Sequence, residues 1–164
     1  MAAETLTATR AADTFPVFKA SGAGIVCAAY GTYAVAANVE DGDIFEMCKI
    51  PGGATIVGGH FYGADLDTGT EALDMDCGWA ANGNEAADPD GFGNFGTITG
   101  DAVAGIKPEV SIFLPFGGAM RTVGPRLFTA ETVVQIEANT ASNAGHTGTI
   151  TVAVLYFIDP NFTV

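Results

Sequence analysis

The run Thr149 to Ile158 alternates without a break: Ile150, Val152, Val154, Tyr156 and Ile158 share one face of an extended chain, and Thr149, Thr151, Ala153, Leu155 and Phe157 share the other. Successive Cβ atoms of a strand point to opposite faces, so this pattern commits the segment to β-structure. Both faces are largely apolar, which predicts a central strand with neighbours on both sides.

Shorter runs of the same kind recur along the chain, separated by Gly, Asn, Asp or Pro. Leu73, Met75, Cys77 and Trp79 alternate with Ala72, Asp74, Asp76 and Gly78, which predicts a strand with its acidic face in water. Thr132 to Asn139 reads as a second half-buried strand, with Val134 and Ile136 inside and Gln135 and Glu137 outside. Ile25 to Ala36, Asp43 to Ile50 and Ala54 to Ala64 complete the long strands, and Pro51-Gly52-Gly53 reads as a hairpin-type connection between the last two. Further short strands are expected at Ser111 to Leu114 and Arg126 to Thr129. No window holds capped helical periodicity, although Asp101 to Ile106 could form one turn. The expectation is an all-β fold of about 7–9 strands, as an antiparallel β-sandwich, jelly roll or β-barrel, and the pattern leaves those three open.

At 164 residues the chain fits one domain. Residues 1–21 are rich in Ala and Thr and read as an extended N-terminal arm that needs a partner surface to order it, ahead of a single β domain over residues 22–164. Asn82 to Asn94, centred on Asp88-Pro89-Asp90-Gly91, reads as a long exposed loop.

Six Lys and Arg against nineteen Asp and Glu give a formal charge of −13, which disfavours nucleic acid and anionic membrane as partners. The cations are scattered and form no phosphate patch. Met1 to Phe18 lacks the apolar run of a signal peptide, so no export is expected, and no stretch approaches a membrane-spanning helix. Cys27, Cys48 and Cys77 have no ligand spacing and read as buried free thiols, in keeping with folding in a cytoplasm; a zinc site with His60 or His146 is the disfavoured alternative.

Acidic residues are the one candidate for chemistry: Asp65, Asp67, Asp74, Asp76, Glu85, Asp88 and Asp90. Calcium would want several such oxygens, but the spacing fits no EF-hand, and solvated strand and turn acids are the expected reading. A carboxylate pair could also serve glycoside hydrolysis, a reading that chance pairs in an acidic chain do not support. His60 is expected to be a half-buried strand residue and His146 a turn residue, outside any catalytic signature. The Gly-rich stretches Gly52-Gly53 and Gly117-Gly118 lack nucleotide-binding frames. No catalytic, metal or cofactor residue is assigned.

One stretch carries a resemblance. Val39-Glu40-Asp41-Gly42-Asp43-Ile44-Phe45-Glu46-Met47-Cys48-Lys49-Ile50-Pro51-Gly52-Gly53-Ala54-Thr55-Ile56-Val57-Gly58-Gly59, followed by Asp65-Leu66-Asp67-Thr68-Gly69-Thr70, resembles small virion structural proteins of tailed bacteriophages. In that group an apolar-Pro-x-Gly-Ala turn leads to a second strand, an Asp-x-Asp-Thr-Gly segment and a strand such as Leu73 to Trp79; Ala130 to Asn139 and Gly148 to Ile158 look like its closing hairpin. The resemblance spans Val39 to Ile158 and leaves out the arm and the Asn82 to Asn94 segment. It implies a β-barrel or sandwich on the head exterior, often trimeric, without catalytic residues.

The resulting expectation is a head-decoration (cement) protein, partnered by the major capsid protein and by its own copies, on the outer capsid surface, with Lys19, Arg121 and Arg126 as ionic contributors. Two other readings compete: a virion adhesion module using exposed Phe92, Phe95 and Tyr62 on a host glycan or protein, and a small hydrolase using the acidic cluster, to be tested by Asp74→Asn or Asp76→Asn.

Overall fold

The computed structural model describes residues 3–14, 25–64, 66–67, 72–97, 111–117, 124–145 and 147–158, with the side chains of 95–97 and 111–115 left aside. The described chain is all β. Its strands are β1 (Thr5–Thr7), β2 (Cys27–Val35), β3 (Ile44–Ile50), β4 (Ala54–Ala64), β5 (Asp74–Trp79), β6 (Asp88–Thr97), β7 (Ser111–Pro115), β8 (Arg126–Leu127), β9 (Thr132–Thr140) and β10 (Gly148–Ile158). They form two sheets, ordered β1-β3-β9-β5-β6 and β2-β10-β4-β7, with β8 on β4; every pairing is antiparallel except β1 with β3.

The ladders do not close into a barrel among the described residues, so the fold is a sandwich with jelly-roll-like alternation of the chain between sheets. The sheet edges nevertheless draw together. On one side a Cβ added at Gly31 of β2 would fall 1.8 Å from the Met47 carbonyl oxygen of β3, an approach open only to glycine. On the other, the Gly117 N–H donates to the Phe92 carbonyl of β6 at 2.7 Å.

The C-terminal run is the central strand its pattern predicts, with β2 on one side and β4 on the other. Ile150, Val152, Val154 and Tyr156 face a core shared with Phe45, Met47, Ile56, Phe61, Met75, Trp79 and Ile136. The three cysteines are buried free thiols. Burial pushes the Cys48 thiol up to about 12 and that of Cys77 well above its ordinary value, which leaves both unreactive.

Several expectations change. Pro51-Gly52-Gly53 joins no hairpin: β3 and β4 lie in different sheets, and the segment carries the chain across the sandwich. Gly53 takes φ of 82° there and donates its N–H to Phe128. Residues 88–94 form most of strand β6 rather than an exposed loop, leaving only 80–87 as the connection from β5. Pro89 and Gly91 are tolerated because β6 is the edge of its sheet, and Gly91 is required because a Cβ would strike the Trp79 ring at 2.0 Å. Within the expected arm, residues 3–14 pack on their own chain. Thr5–Thr7 adds a parallel edge strand to β3, the Asp43 carboxylate accepts the Glu4 N–H at 2.9 Å, and Ala8 and Ala11 are buried. Its expected boundary at Ser21 and the helical turn at Asp101 to Ile106 lie outside the described residues.

Candidate functional site

The acidic residues singled out by the sequence do not converge. Among the described residues no group of three or more His, Cys, Asp or Glu is placed to hold a metal ion. Asp67, Asp76 and Glu85 instead have local structural tasks.

Asp67 is buried between two loops. Its Oδ2 accepts the N–H groups of Ala72 at 2.8 Å, Leu73 at 3.2 Å and Asn143 at 3.0 Å, and its Oδ1 accepts that of Ala144 at 2.9 Å. Burial alone would raise its pKa, but these donors outweigh it and hold the carboxyl at about 2. Asp76, expected in water, is buried as well. Its strand β5 is an interior strand between β9 and β6, and its Oδ2 accepts the Asn139 side-chain amide at 2.6 Å. Gln135 on β9, also expected outside, is buried for the same reason, lying beside Glu46 of β3 and Gly78 of β5.

Glu85 belongs to the connection between β5 and β6. Its Oε1 accepts the Thr129 N–H at 2.9 Å and hydroxyl at 2.6 Å, while Asn82 Oδ1 accepts the N–H groups of Asn84 and Glu85. Burial raises the Glu85 carboxyl, yet the Thr129 bonds win and its pKa falls below the usual value. Asp88 shifts the other way: partial desolvation, a hydrogen bond with Asp90 and the repulsion of that second carboxylate push it up. Asp88 and Asp90 lie on a sheet edge, with Asp90 exposed and no third ligand beside them among the described residues. Asp65 and His146 lie outside the described residues, and His60 is half-buried on the outer side of β4.

The aromatic and cationic candidates are likewise committed inside the fold. Phe92 is fully buried: it stacks on Phe116 at 4.7 Å and packs edge-on to Trp79 at 5.1 Å. Its position on β6, beside the core rather than in a loop, is what the turn-rich composition concealed. Tyr62 is 38% exposed, and the Phe95 side chain is outside the description. Arg126 lies with its guanidinium 4.6 Å from the Trp79 ring centroid, a cation–π contact within its own chain rather than a free ionic contributor. Lys19 and Arg121 lie outside the described residues. An apolar cavity of about 170 Å³ opens between β1, β2 and the turn before β3, floored by Leu6, Tyr33, Val35 and Phe45. It is smaller than the roughly 300–1,000 Å³ of ordinary ligand sites.

What distinguishes the surface is charge. The outer side of the β1-β3-β9-β5-β6 sheet carries Glu46, Lys49, Asp74, Asp76 and Glu137, whereas β2, β10, β4 and β7 contain no Asp, Glu, Lys or Arg at any position. The signal was present in the sequence, but alternation and motif spacing do not report it.

These features define a two-sheet β-sandwich whose polar groups serve structure and whose two faces differ in charge. Solved structures share that fold. The chain is similar to one in the capsid of Ralstonia phage GP4, with a TM-score of 0.67 and 18% identity over 96% of this chain and 99% of that one. It is also similar to one in the capsid asymmetric unit of cyanophage Pam1, with a TM-score of 0.61 and 23% identity over 88% and 94%. A third, in the acid-stable capsid of Helicobacter pylori bacteriophage KHP30, gives a TM-score of 0.50 and 15% identity over 82% and 94%. At these identities the likeness is one of fold. No family model and no curated protein matches the sequence.

Proposed function

We propose that this chain is a non-enzymatic structural protein of a bacteriophage particle, decorating the outer surface of the capsid through contacts with the major capsid protein. The observation that carries the reading is the end-to-end likeness of fold to a chain of the GP4 capsid, which leaves almost nothing of either chain outside the shared architecture. The structural tasks of Asp67, Asp76 and Glu85 support it, because acids engaged with backbone and amide donors are not poised for proton transfer. A charge of −13 favours the outer side, since packaged DNA repels such a surface.

The adhesion alternative loses Phe92 as a contact residue and keeps Tyr62. Copy number separates the two readings. Quantitative mass spectrometry of purified particles should find the chain at a stoichiometry comparable with the major capsid protein, and a density map should place it outside the shell. A handful of copies, or a position at a tail tip, would refute decoration.

A further inference from the structure

We infer that the outer face of the β2-β10-β4-β7 sheet is a self-association surface that takes a second copy of this chain face to face about a two-fold axis. This contact between free subunits goes beyond attachment to a particle and does not depend on it.

The first argument is charge. Two copies, each at −13, repel wherever carboxylates meet, and strands β2, β10, β4 and β7 hold no Asp, Glu, Lys or Arg in a chain of which 15% is charged; the one cation of β8, Arg126, lies over the Trp79 ring. Of the exposed large apolar residues, Tyr30 (47% exposed), Leu155 (42%), Val57 (40%) and Tyr62 lie on these strands, while Ile25 and Val26 lie just ahead of β2 and Leu127 on β8. At the β2 edge the Arg10 guanidinium stacks 3.8 Å from the Tyr30 ring centroid and donates to the Tyr30 hydroxyl at 2.6 Å, so that cation is engaged with a residue of the face itself.

Shape is the second argument. Across β10 and β4 the register sets Leu155 beside Gly58, Ala153 beside His60 and Thr151 beside Tyr62, one large and one small residue in each row. A Cβ added at Gly58 meets nothing within 4 Å, so the position is an open notch. An axis along the strands, midway between β10 and β4, lays each copy's β10 over the other's β4. Leu155 then enters the partner copy's notch at Gly58, which adjoins the bulge at Val57, and the Ala153–His60 and Thr151–Tyr62 rows also set large against small, as an isologous interface requires. Such aligned packing is a standard way for two sheets to meet. Four strands about 4.8 Å apart and roughly nine residues long present about 600 Å² per copy, or ~1,200 Å² in all, the lower bound of a specific interface.

The test is sedimentation equilibrium on the full chain from ~1 to ~100 µM, a range suited to an interface of this size. The expected mass is twice 16.7 kDa at the upper end. Gly58→Leu, which fills the notch, and Leu155→Asp, which sets a charge against it, should each weaken association at least ~10-fold. Glu137→Gln on the opposite sheet should not weaken it. Circular dichroism checks that each variant folds; should one fail, Tyr62→Ser reads the same rows. A single-chain mass at ~100 µM, a three-chain mass, or a dimer indifferent to these substitutions overturns the proposal.

Discussion

Asp67 shows how a buried carboxylate can be stabilising in a chain already rich in negative charge. Its two oxygens tie the segment at Ala72 and Leu73 to that at Asn143 and Ala144, closing two connections that the strands alone leave loose. The folded pKa of about 2 lies below the ordinary 3.8, so the stabilisation is full above the unfolded value and is lost as pH falls through the folded one. A shift of that size corresponds to about 2 kcal/mol. Asp67→Asn keeps the volume but turns an amide N–H₂ toward backbone donors, and is expected to cost about 3 kcal/mol at neutral pH, or a fall in Tm of roughly 6–12 °C. Thermal melts from pH 7 down to pH 2 should show the gap between wild type and variant narrowing below about pH 4. A gap independent of pH would mean that charge is not what Asp67 contributes. Asp88, pushed the other way by burial and by Asp90, gains nothing comparable from ionisation.

At the scale of elements, the sequence was legible where alternation was long and the strand lay between two others. β4 falls on the expected Ala54 to Ala64, and β10 shows the expected two faces. Legibility failed where a strand's surroundings, rather than its own pattern, decide burial. Asp76 and Gln135 sit on the outer side of interior strands, and β6 hides behind Asp-Pro-Asp-Gly because an edge strand tolerates turn residues. Pro51 to Gly53 reads as a hairpin because local turn chemistry does not record which sheet the next strand joins. Of the functional surface, individual exposed residues such as Tyr62 were visible, while the pairing of rows across β10 and β4 needs the register. The N-terminal segment is the clearest case of pattern too short to read: only Leu6 of Thr5–Thr7 turns toward the core. Its packing has a measurable consequence. Deleting residues 1–14 removes β1, buried Ala8 and Ala11, and the 2.9 Å ion pair between Asp13 and Lys49. The exposed ion pair is worth little, so most of the loss comes from Leu6, the two alanines and the β1 hydrogen bonds, about 2–3 kcal/mol in all. Since the longer strands remain, the truncated chain should keep β-rich circular dichroism and a cooperative melt, with Tm lower by roughly 5–10 °C. Loss of the cooperative transition would make β1 indispensable to folding.

At the scale of the whole molecule, the distribution of charge decides how the subunit would hold to a particle in the proposed decoration role. The described cations are engaged within their own chain: Arg10 stacks on Tyr30, Lys49 pairs with Asp13 and Glu131, and Arg126 lies over Trp79. The acids are numerous, but Asp43, Asp67, Asp76 and Glu85 accept from backbone and side-chain donors of their own chain, Glu46 accepts from the Thr7 hydroxyl, and Asp13 and Glu131 pair with Lys49. Attachment through the remaining surface is therefore expected to be chiefly apolar and hydrogen-bonded. Raising salt from 0.1 to 1 M shortens the screening length from about 10 Å to about 3 Å, which weakens exposed ionic contacts and leaves apolar burial intact. Particles washed in ~1 M NaCl should consequently keep their full complement of this chain, read as its mass-spectrometric ratio to the major capsid protein before and after the wash. Release at that salt, with recovery of binding on dilution, would instead assign the grip to Glu46, Asp74 and Glu137 on the acidic sheet, and would turn that face toward the shell.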